Sequence, residues 1–227
     1  DKTIAEAVNN LEADGTEVHQ IEILQDKVWE RQWLKEFKPK CFGQNLWVVP
    51  TAYEIPVEAR TAIRLDPGLA FGTGTHATTG LILEWLDQQV LKGKRVVDYG
   101  CGSGILAIAA LLLGAEKSVA VDIDPQALTA ARDNAVLNGV ADRLDIVMAE
   151  DFEGSEYDVV LANILAGPLI DLAGLLTTCL RSNGDLVLSG VLDSQLAQVQ
   201  SAYLNDINFV GQADREGWVC AHGKRCC

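Results

Sequence analysis

The chain of 227 residues is long enough for one large domain, or for one domain of usual size with a small addition. Hydrophobic residues make up 48% and charged residues 22%, the balance of a soluble globular protein with a sizeable core. A formal net charge of −14 argues against direct contact with nucleic acid, and the longest apolar run, Ile105 to Leu113, is too short to span a membrane. Six scattered cysteines without a C-x-x-C pair indicate reduced thiols, so we expect a cytoplasmic protein.

The first residues predict an incomplete unit. Residues 1–25 have the pattern of one helix followed by one strand, which cannot bury both of their faces alone. We expect them to be the remnant of a small N-terminal α/β domain. Residues 26–61, which contain a Trp-rich helix and a short strand at Leu46 to Val49, are predicted to be a linker region. Residues 62–227 are predicted to form the main domain.

From Arg95 onward, short apolar strands alternate with helical segments. The last two strands are joined by a turn around Glu216 and Gly217, which is short enough to permit only an antiparallel hairpin. Alternating βαβ units with right-handed crossovers predict a doubly wound α/β fold, with seven strands and the hairpin at the C-terminal end. The predicted strands are Val96–Tyr99, Ser118–Ile123, Leu144–Met148, Tyr157–Leu161, Asp185–Ser189, Phe209–Asp214 and Trp218–His222.

A glycine-rich loop follows the first of these strands and opens a helix. Its glycines are Gly100, Gly102 and Gly104, and the residue two positions before the first of them is Asp98. Glycines here let the backbone turn sharply and approach a ligand closely. Dinucleotide-binding enzymes carry G-x-G-x-x-G at this place, but the spacing here is G-x-G-x-G, and a carboxylate suits an ammonium and repels a pyrophosphate. We therefore expect S-adenosylmethionine, which bears an ammonium, to bind through Asp98 and the three glycines.

Two further strands end in polar side chains where ligands of such sheets bind. Asp122 ends the second strand, and a carboxylate there accepts hydrogen bonds from the ribose hydroxyls of an adenosine. The simpler reading of Asp122 is a turn residue, but Asp124 suits that capping role better. Asn163 follows the fourth strand, where an amide orients an amine for attack on the methyl group, or simply tolerates a tight turn.

A loop rich in glycine, threonine and histidine precedes the sheet, from Leu65 to Thr79. Such a loop is suited to fold over a cofactor and exclude water, and we expect residues 71 to 76 to close the site. His76 lies in this loop and not on an apolar face, so it is a candidate catalytic residue as much as a structural one. The three histidines are far apart, and no spacing of His, Cys and Asp predicts a metal site.

Four segments together resemble the bacterial ribosomal-protein methyltransferases of the PrmA type. They are the stretch from Leu65 to Thr79, the loop from Asp98 to Gly104, the sequence D-I-D-P at Asp122, and the stretch from Asn163 to Leu169. The glycine loop is shared by many methyltransferases, whereas F-G-T-G-T-H and N-I-L-A-G-P-L are far more specific. The likeness runs from about Asp26 to Lys224. Ala77 stands where the family usually has proline, and we expect this to matter little.

This resemblance implies a fold, an activity and a set of contacts. It implies the fold of S-adenosylmethionine-dependent methyltransferases, with cofactor contacts at Thr79, Gly100, Asp122 and Asn163. It also implies methylation of lysine ε-amines and the N-terminal α-amine of protein L11 of the large ribosomal subunit, recognised by a small N-terminal domain. A basic ribosomal protein is thus the expected partner of an acidic chain, which we expect to be a monomer.

Other functions are open to the same sequence. A methyltransferase with another acceptor, such as a glutamine side chain, a small molecule or an RNA base, shares the cofactor loop. Glutamine and adenine methylases carry N-P-P-Y after the fourth strand, and here Asn163 is followed by Ile164 and Leu165, without an aromatic ring for stacking. An NAD-binding oxidoreductase is disfavoured by Asp98 and by the terminal hairpin. A non-catalytic cofactor-binding module is the remaining alternative.

Overall fold

The computed structural model describes residues 38–65, 76–154 and 156–227. Predictions that fall on residues 1–37 or 66–75 lie outside these ranges. No helix within the described ranges is long and apolar enough to cross a membrane. The strands are β1 (Lys40–Phe42), β2 (Leu46–Pro50), β3 (Thr61–Leu65), β4 (Arg95–Tyr99), β5 (Lys117–Asp122), β6 (Leu144–Met148), β7 (Tyr157–Asn163), β8 (Leu180–Leu192), β9 (Ile207–Arg215) and β10 (Trp218–Arg225). The helices are α1 (Ala77–Asp87), α2 (Ile105–Leu112), α3 (Pro125–Leu137), α4 (Ala166–Asp171), α5 (Ala173–Thr178) and α6 (Asp193–Ser201).

The larger sheet has seven strands in the order β6-β5-β4-β7-β8-β10-β9. The first five are parallel, and β10 is antiparallel to both β8 and β9. The predicted doubly wound α/β fold with a terminal hairpin is therefore confirmed. The chain progresses outward from β4 through β5 to β6, and then returns to the other side of β4 as β7. This reversal creates a switch point between β4 and β7, where ligands bind in such sheets.

Both faces of the central strands β4 and β7 are buried, and successive residues of each strand face different sides of the sheet. In β4, Val96 belongs to the core that includes apolar residues of α1, α2 and α3, whereas Val97 belongs to the core beneath α4, α5 and α6. In β7 the same alternation separates Val159 from Val160. Because successive residues of such a strand pack against the two opposite buried layers, the strand needs a continuous run of mostly apolar residues.

A second sheet of three strands is built from residues 40–65. Strand β2 pairs antiparallel with β1 and parallel with β3. Phe42, Leu46 and Ile63 belong to the same buried cluster as helices α1 and α2, so this segment is part of the core. The predicted boundary at residue 62 falls inside β3, and the described part of the predicted linker is a folded sheet and not a connecting chain. The assignments of residues 1–25 and 26–37 stay predictions.

Three further elements differ from the sequence prediction. Helix α1 was not predicted, because Thr78, Thr79 and Gly80 at its start are weak helix formers and the sequence there has the composition of a loop. The predicted helix over residues 169–180 is two short helices that meet at Leu172. The fifth strand begins at residue 180, ahead of the predicted Asp185, because the predicted turn at Asn183 is a local irregularity inside β8.

Tyr203 offers a test of the core beneath α4. Its side chain is fully buried, and its hydroxyl donates a hydrogen bond of 2.6 Å to the carbonyl oxygen of Leu169. The Tyr203→Phe change leaves that carbonyl unsatisfied in an apolar environment, so we expect the free energy of unfolding to fall by about 1–2 kcal/mol. Urea unfolding of both proteins measures this. Tyr53→Phe, at a position 36% exposed, is the control, and an equal effect of the two changes would contradict this account.

Candidate active site

A cavity of about 500 Å³ opens at the carboxyl ends of β4 and β7, at the switch point of the sheet. Its walls are the start of α1, the glycine loop, the start of α2, the ends of β7 and β8, and the start of β10. The lining residues are His76, Thr78, Thr79, Gly100, Cys101, Gly102, Ile105, Leu106, Asn163, Ile164, Leu165, Gly190 and Trp218. Five of the predicted site residues thus come together here: His76, Thr79, Gly100, Gly102 and Asn163. Asp98, Gly104 and Asp122 do not line the cavity.

The glycine loop is held by the neighbouring strand β5. The carbonyl oxygen of Val121 accepts hydrogen bonds from the backbone N–H groups of Gly100 and Cys101, at 2.8 and 3.0 Å. Asp122 then accepts a hydrogen bond of 2.9 Å from the N–H of Gly102 through Oδ2, and one of 3.0 Å from Asp124 through Oδ1. In this structure Asp122 therefore orders the loop from outside the cavity.

Gly104 has a packing role. It precedes α2, and a Cβ atom added there would lie 2.9 Å from the Cβ atom of Ala131 in α3. A side chain would therefore push the two helices apart. This explains why a glycine is needed at a position that does not face the cavity.

Asp98 is fully buried between β4 and the first turn of α2. Its Oδ2 atom accepts a hydrogen bond of 3.1 Å from the N–H of Ala107, whereas Oδ1 has no hydrogen-bond partner among the described residues. Burial raises the pKa of this carboxyl to about 7; the N–H of Ala107 opposes the shift, and the negative charge of Asp122 adds to it. A buried carboxylate with a free oxygen is stabilised by a cationic group, so this carboxyl is suited to a ligand that carries an ammonium.

Asn163 and Thr79 connect the two sides of the cavity. The Nδ2 group of Asn163, at the end of β7, donates a hydrogen bond of 3.1 Å to Oγ1 of Thr79, in the first turn of α1. This bond fixes the plane of the amide, and with it the direction of its carbonyl oxygen. An amide held in this way can accept a hydrogen bond from an amine that enters the cavity.

His76 is the N-cap of α1. Its Nδ1 atom lies 2.8 Å from Oγ1 of Thr78 and 3.4 Å from the backbone nitrogen of the same residue. The imidazole packs edge-on against the indole of Trp218, with ring centroids 5.0 Å apart. The side chain therefore joins the helix to the hairpin, and its proposed catalytic role stays a prediction.

Gly190 and Trp218 are cavity residues that the sequence reading missed. A Cβ atom on Gly190 would lie 2.3 Å from the carbonyl oxygen of Ile164, and Gly190 has φ of +84°, which disfavours any other residue. The sequence did give one indication for Gly190: it directly follows Ser189, the last residue of the predicted fifth strand, and ligands bind at the carboxyl ends of such strands. Trp218 follows the hairpin turn, and since β10 runs antiparallel to β8, its first residue lies at the cavity edge of the sheet.

Cys101 also lines the cavity and is buried. Burial raises the pKa of its thiol, and the carboxyl groups of Asp98 and Asp122 raise it further. The cavity therefore holds a neutral thiol among mostly apolar walls, which include Ile105 and Leu106.

A doubly wound seven-stranded sheet, a glycine turn at its switch point and a buried carboxyl beneath that turn define a class I S-adenosylmethionine-dependent methyltransferase. Solved structures of the same fold include an RNA methyltransferase from Salinibacter ruber in complex with S-adenosyl-L-homocysteine. It is 24% identical, with a TM-score of 0.51, over 64% of this chain and 88% of that one.

The chain belongs to the ribosomal protein L11 methyltransferase (PrmA) family, whose model matches residues 1–226. It is 53% identical to the ribosomal protein L11 methyltransferase of Pseudomonas syringae pv. tomato over 208 residues, a match that covers 91% of this chain and 71% of the relative. It is 50% identical to that of Vibrio campbellii, over 96% of this chain and 74% of the relative. The crystal structure of ribosomal protein L11 methylase from Lactobacillus delbrueckii subsp. bulgaricus has a TM-score of 0.74 and 35% identity, over 84% of this chain and all of that one.

Gly190, which lines the cavity, provides a test of whether this part of the wall binds the cofactor. The Gly190→Ala change, at a positive φ, places a methyl group against the backbone of Ile164 and must displace this residue, which directly follows Asn163 at the end of β7. We expect the affinity for S-adenosylmethionine to fall by roughly tenfold or more, as measured by calorimetric titration. Gly211→Ala, at a glycine of β9 with open space around it, is the control. Unchanged affinity in the Gly190 variant would mean that the cavity wall at Gly190 is not part of the binding site.

The pH dependence of cofactor binding tests the role of Asp98. Its carboxylate form becomes populated as the pH rises through the pKa of about 7, and only that form attracts an ammonium. We therefore expect the affinity for S-adenosylmethionine to rise by up to about fivefold between pH 6 and pH 7. Asp98→Asn should bind more weakly and lose this rise. The same pH dependence in both proteins would show that another group is responsible.

Proposed function

We propose that this chain transfers methyl groups from S-adenosylmethionine to amino groups of ribosomal protein L11, namely lysine ε-amines and the N-terminal α-amine. The observation that carries the proposal is the hydrogen bond between Asn163 and Thr79, which fixes an amide in the wall of the cavity. A fixed carbonyl oxygen accepts an N–H of an amine and so aims its lone pair. Membership of the ribosomal protein L11 methyltransferase family supports the choice of acceptor.

Asp98, the glycine loop and Asp122 are proposed to serve the cofactor. The negative charge of Asp98, which is buried behind the glycine loop and outside the cavity lining, is proposed to attract the cofactor's ammonium, and glycines at positive φ let the loop turn tightly beside the cavity. Asp122 is 20 positions from Gly102 in sequence, but its carboxylate accepts a hydrogen bond from the N–H of Gly102. Asp122 therefore sets the shape of the glycine loop. Its carboxylate is also proposed to accept a hydrogen bond from a ribose hydroxyl.

The acceptor side of the cavity favours a neutral amine. S-adenosylmethionine supplies a methyl group on a sulfonium, so the amine lone pair forms the new C–N bond while the C–S bond breaks. A free lysine has a pKa of about 10.4, so its neutral form costs about 4–5 kcal/mol at pH 7. The apolar side chains of Ile164 and Trp218 line the cavity, and they disfavour the ammonium of an entering acceptor by removing it from water. The proton leaves to solvent, and proximity supplies much of the rate.

Charge complements this choice of substrate. The chain carries a net charge of −14, and several exposed carboxylates, including Asp193 and Glu216, lie near Trp218 at the carboxyl edge of the sheet. A negative surface attracts a basic protein over a distance of about 10 Å at 0.1 M salt, and repels nucleic acid. Ribosomal protein is therefore favoured over RNA as the acceptor.

Two measurements in sequence test the proposed function. Calorimetric titration with S-adenosylmethionine, with NAD as the control, tests the cofactor. Incubation with the cofactor and purified protein L11, followed by mass spectrometry, then tests the acceptor. Mass increases in steps of one methyl group, absent without cofactor, are expected. Binding of the cofactor without modification of L11 would reject the acceptor, and binding of NAD in its place would reject the class of enzyme.

Asn163→Ala tests the proposed role of the amide. The variant lacks the group that orients the amine and loses the bond to Thr79, so we expect turnover to fall by roughly 100-fold and cofactor affinity to weaken. Initial rates with L11 measure the first effect and titration the second. Asn208→Ala, on the exposed strand β9, is the matched control. Near-normal turnover of the Asn163 variant would remove Asn163 from the mechanism.

A further inference from the structure

An ion pair links the outermost strand of the sheet to the helix that borders the cavity. Nη2 of Arg215, the last residue of β9, lies 2.9 and 2.8 Å from the two carboxylate oxygens of Glu84 in α1. The two side chains are 33% and 30% exposed. A Cβ atom on Gly80 would lie 3.0 Å from Nη1 of Arg215, so the guanidinium passes closely over the helix where a glycine leaves it space.

Glu84 lies on a helix that carries cavity residues, and Arg215 lies on the strand paired with β10, whose first residue, Trp218, lines the cavity. Helix α1 begins beside His76 and carries Thr79, which accepts the hydrogen bond from Asn163. Arg215 pairs in register with Trp218 across the hairpin. Since the ring of Trp218 packs against His76, the ion pair and this aromatic contact join the same hairpin to the same helix.

The end of the hairpin depends on such contacts. Strand β9 is at the edge of the sheet and pairs with β10 alone. The turn residues Glu216 and Gly217 are exposed and have positive φ, and a hydrogen bond of 3.1 Å from the N–H of Asp193 to the carbonyl oxygen of Gly217 is another link to the sheet. A two-residue turn at a sheet edge with few neighbours opens more readily than the core.

We infer that the Arg215–Glu84 ion pair is a positioning pair, which holds the hairpin so that Trp218 covers the acceptor end of the cavity. This inference rests on the proposed function. The pair contacts neither the glycine loop nor Asp98, so it acts on the acceptor and leaves the affinity for S-adenosylmethionine unchanged. Arg215 and Glu84 are thus determinants of acceptor use outside the reacting groups.

The test compares Arg215→Ala and Glu84→Gln with the wild-type protein in two assays. In the first, kcat/KM for protein L11 is expected to fall by roughly three- to fivefold, mainly through KM, because an ion pair that is about one-third exposed contributes little. The dissociation constant for S-adenosylmethionine is expected to stay the same. In the second, which needs no acceptor, amide hydrogen exchange at Gly217, Trp218 and Val219 is expected to become faster.

Arg181→Ala is the matched control. Arg181 forms an ion pair of 2.9 Å with Asp158, with exposures of 45% and 17%, and neither residue lines the cavity. We expect it to leave both assays unchanged. The exchanged pair, Glu84→Arg with Arg215→Glu, is expected to restore part of the lost kcat/KM, which a general loss of stability would not allow.

The outcomes separate this inference from the proposed function. Unchanged hydrogen exchange at the hairpin in both variants would overturn the inference whether or not L11 is the acceptor. Faster exchange with an unchanged kcat/KM for L11, or an equal loss of cofactor affinity, would also overturn it. Wild-type protein that binds S-adenosylmethionine but does not methylate L11 would overturn both the proposed acceptor and the acceptor role of this pair.

Discussion

The site depends on how closely Ile164 fits between two residues that have no side chain. On one side, a Cβ atom on Gly100 would lie 2.2 Å from Cγ2 of Ile164, and on the other, one on Gly190 would lie 2.3 Å from its carbonyl oxygen. The ends of three adjacent parallel strands, β4, β7 and β8, therefore meet around a single residue. This contact fixes the position of Asn163 relative to the glycine loop. The cavity is thus the consequence of close backbone packing at the switch point as much as of the side chains that line it.

Two carboxyl groups near the loop have different tasks because their surroundings differ. Asp122 is partly exposed and has both oxygens occupied by backbone N–H groups, so it acts as a local organiser of the turn. Asp98 is buried, has one oxygen without a partner among the described residues, and has a pKa near neutrality. A group in that state is stabilised by a positive charge. The sequence identified both residues as candidates, and only their burial and hydrogen bonds distinguish their tasks.

Much of the architecture was predictable because it is determined by short-range patterns in the sequence. The strand runs of β4 to β7, the glycine loop, the capping aspartate before α3 and the two-residue turn of the hairpin all depend on neighbours in sequence. Of the elements before the main sheet, the strand at Leu46 to Val49 was predicted, whereas strands β1 and β3 and helix α1 were missed, since the apolar residues of these elements pack against partners that are distant in sequence. Trp218 was missed for the same reason: its place in the cavity follows from the antiparallel return of β10, more than 50 positions after Asn163 in the chain.

The protonated thiol of Cys101 has a consequence for an enzyme that handles an electrophilic methyl group. A thiolate is a far better nucleophile than an amine of similar exposure, and it would compete for the methyl group inside the cavity. Burial and the two nearby carboxyl groups raise the pKa of this thiol, so the thiolate is not populated at neutral pH. The low polarity that we propose to favour a neutral lysine also keeps this thiol protonated. Methylation of Cys101, the only cysteine among the residues that line the described cavity, is therefore disfavoured.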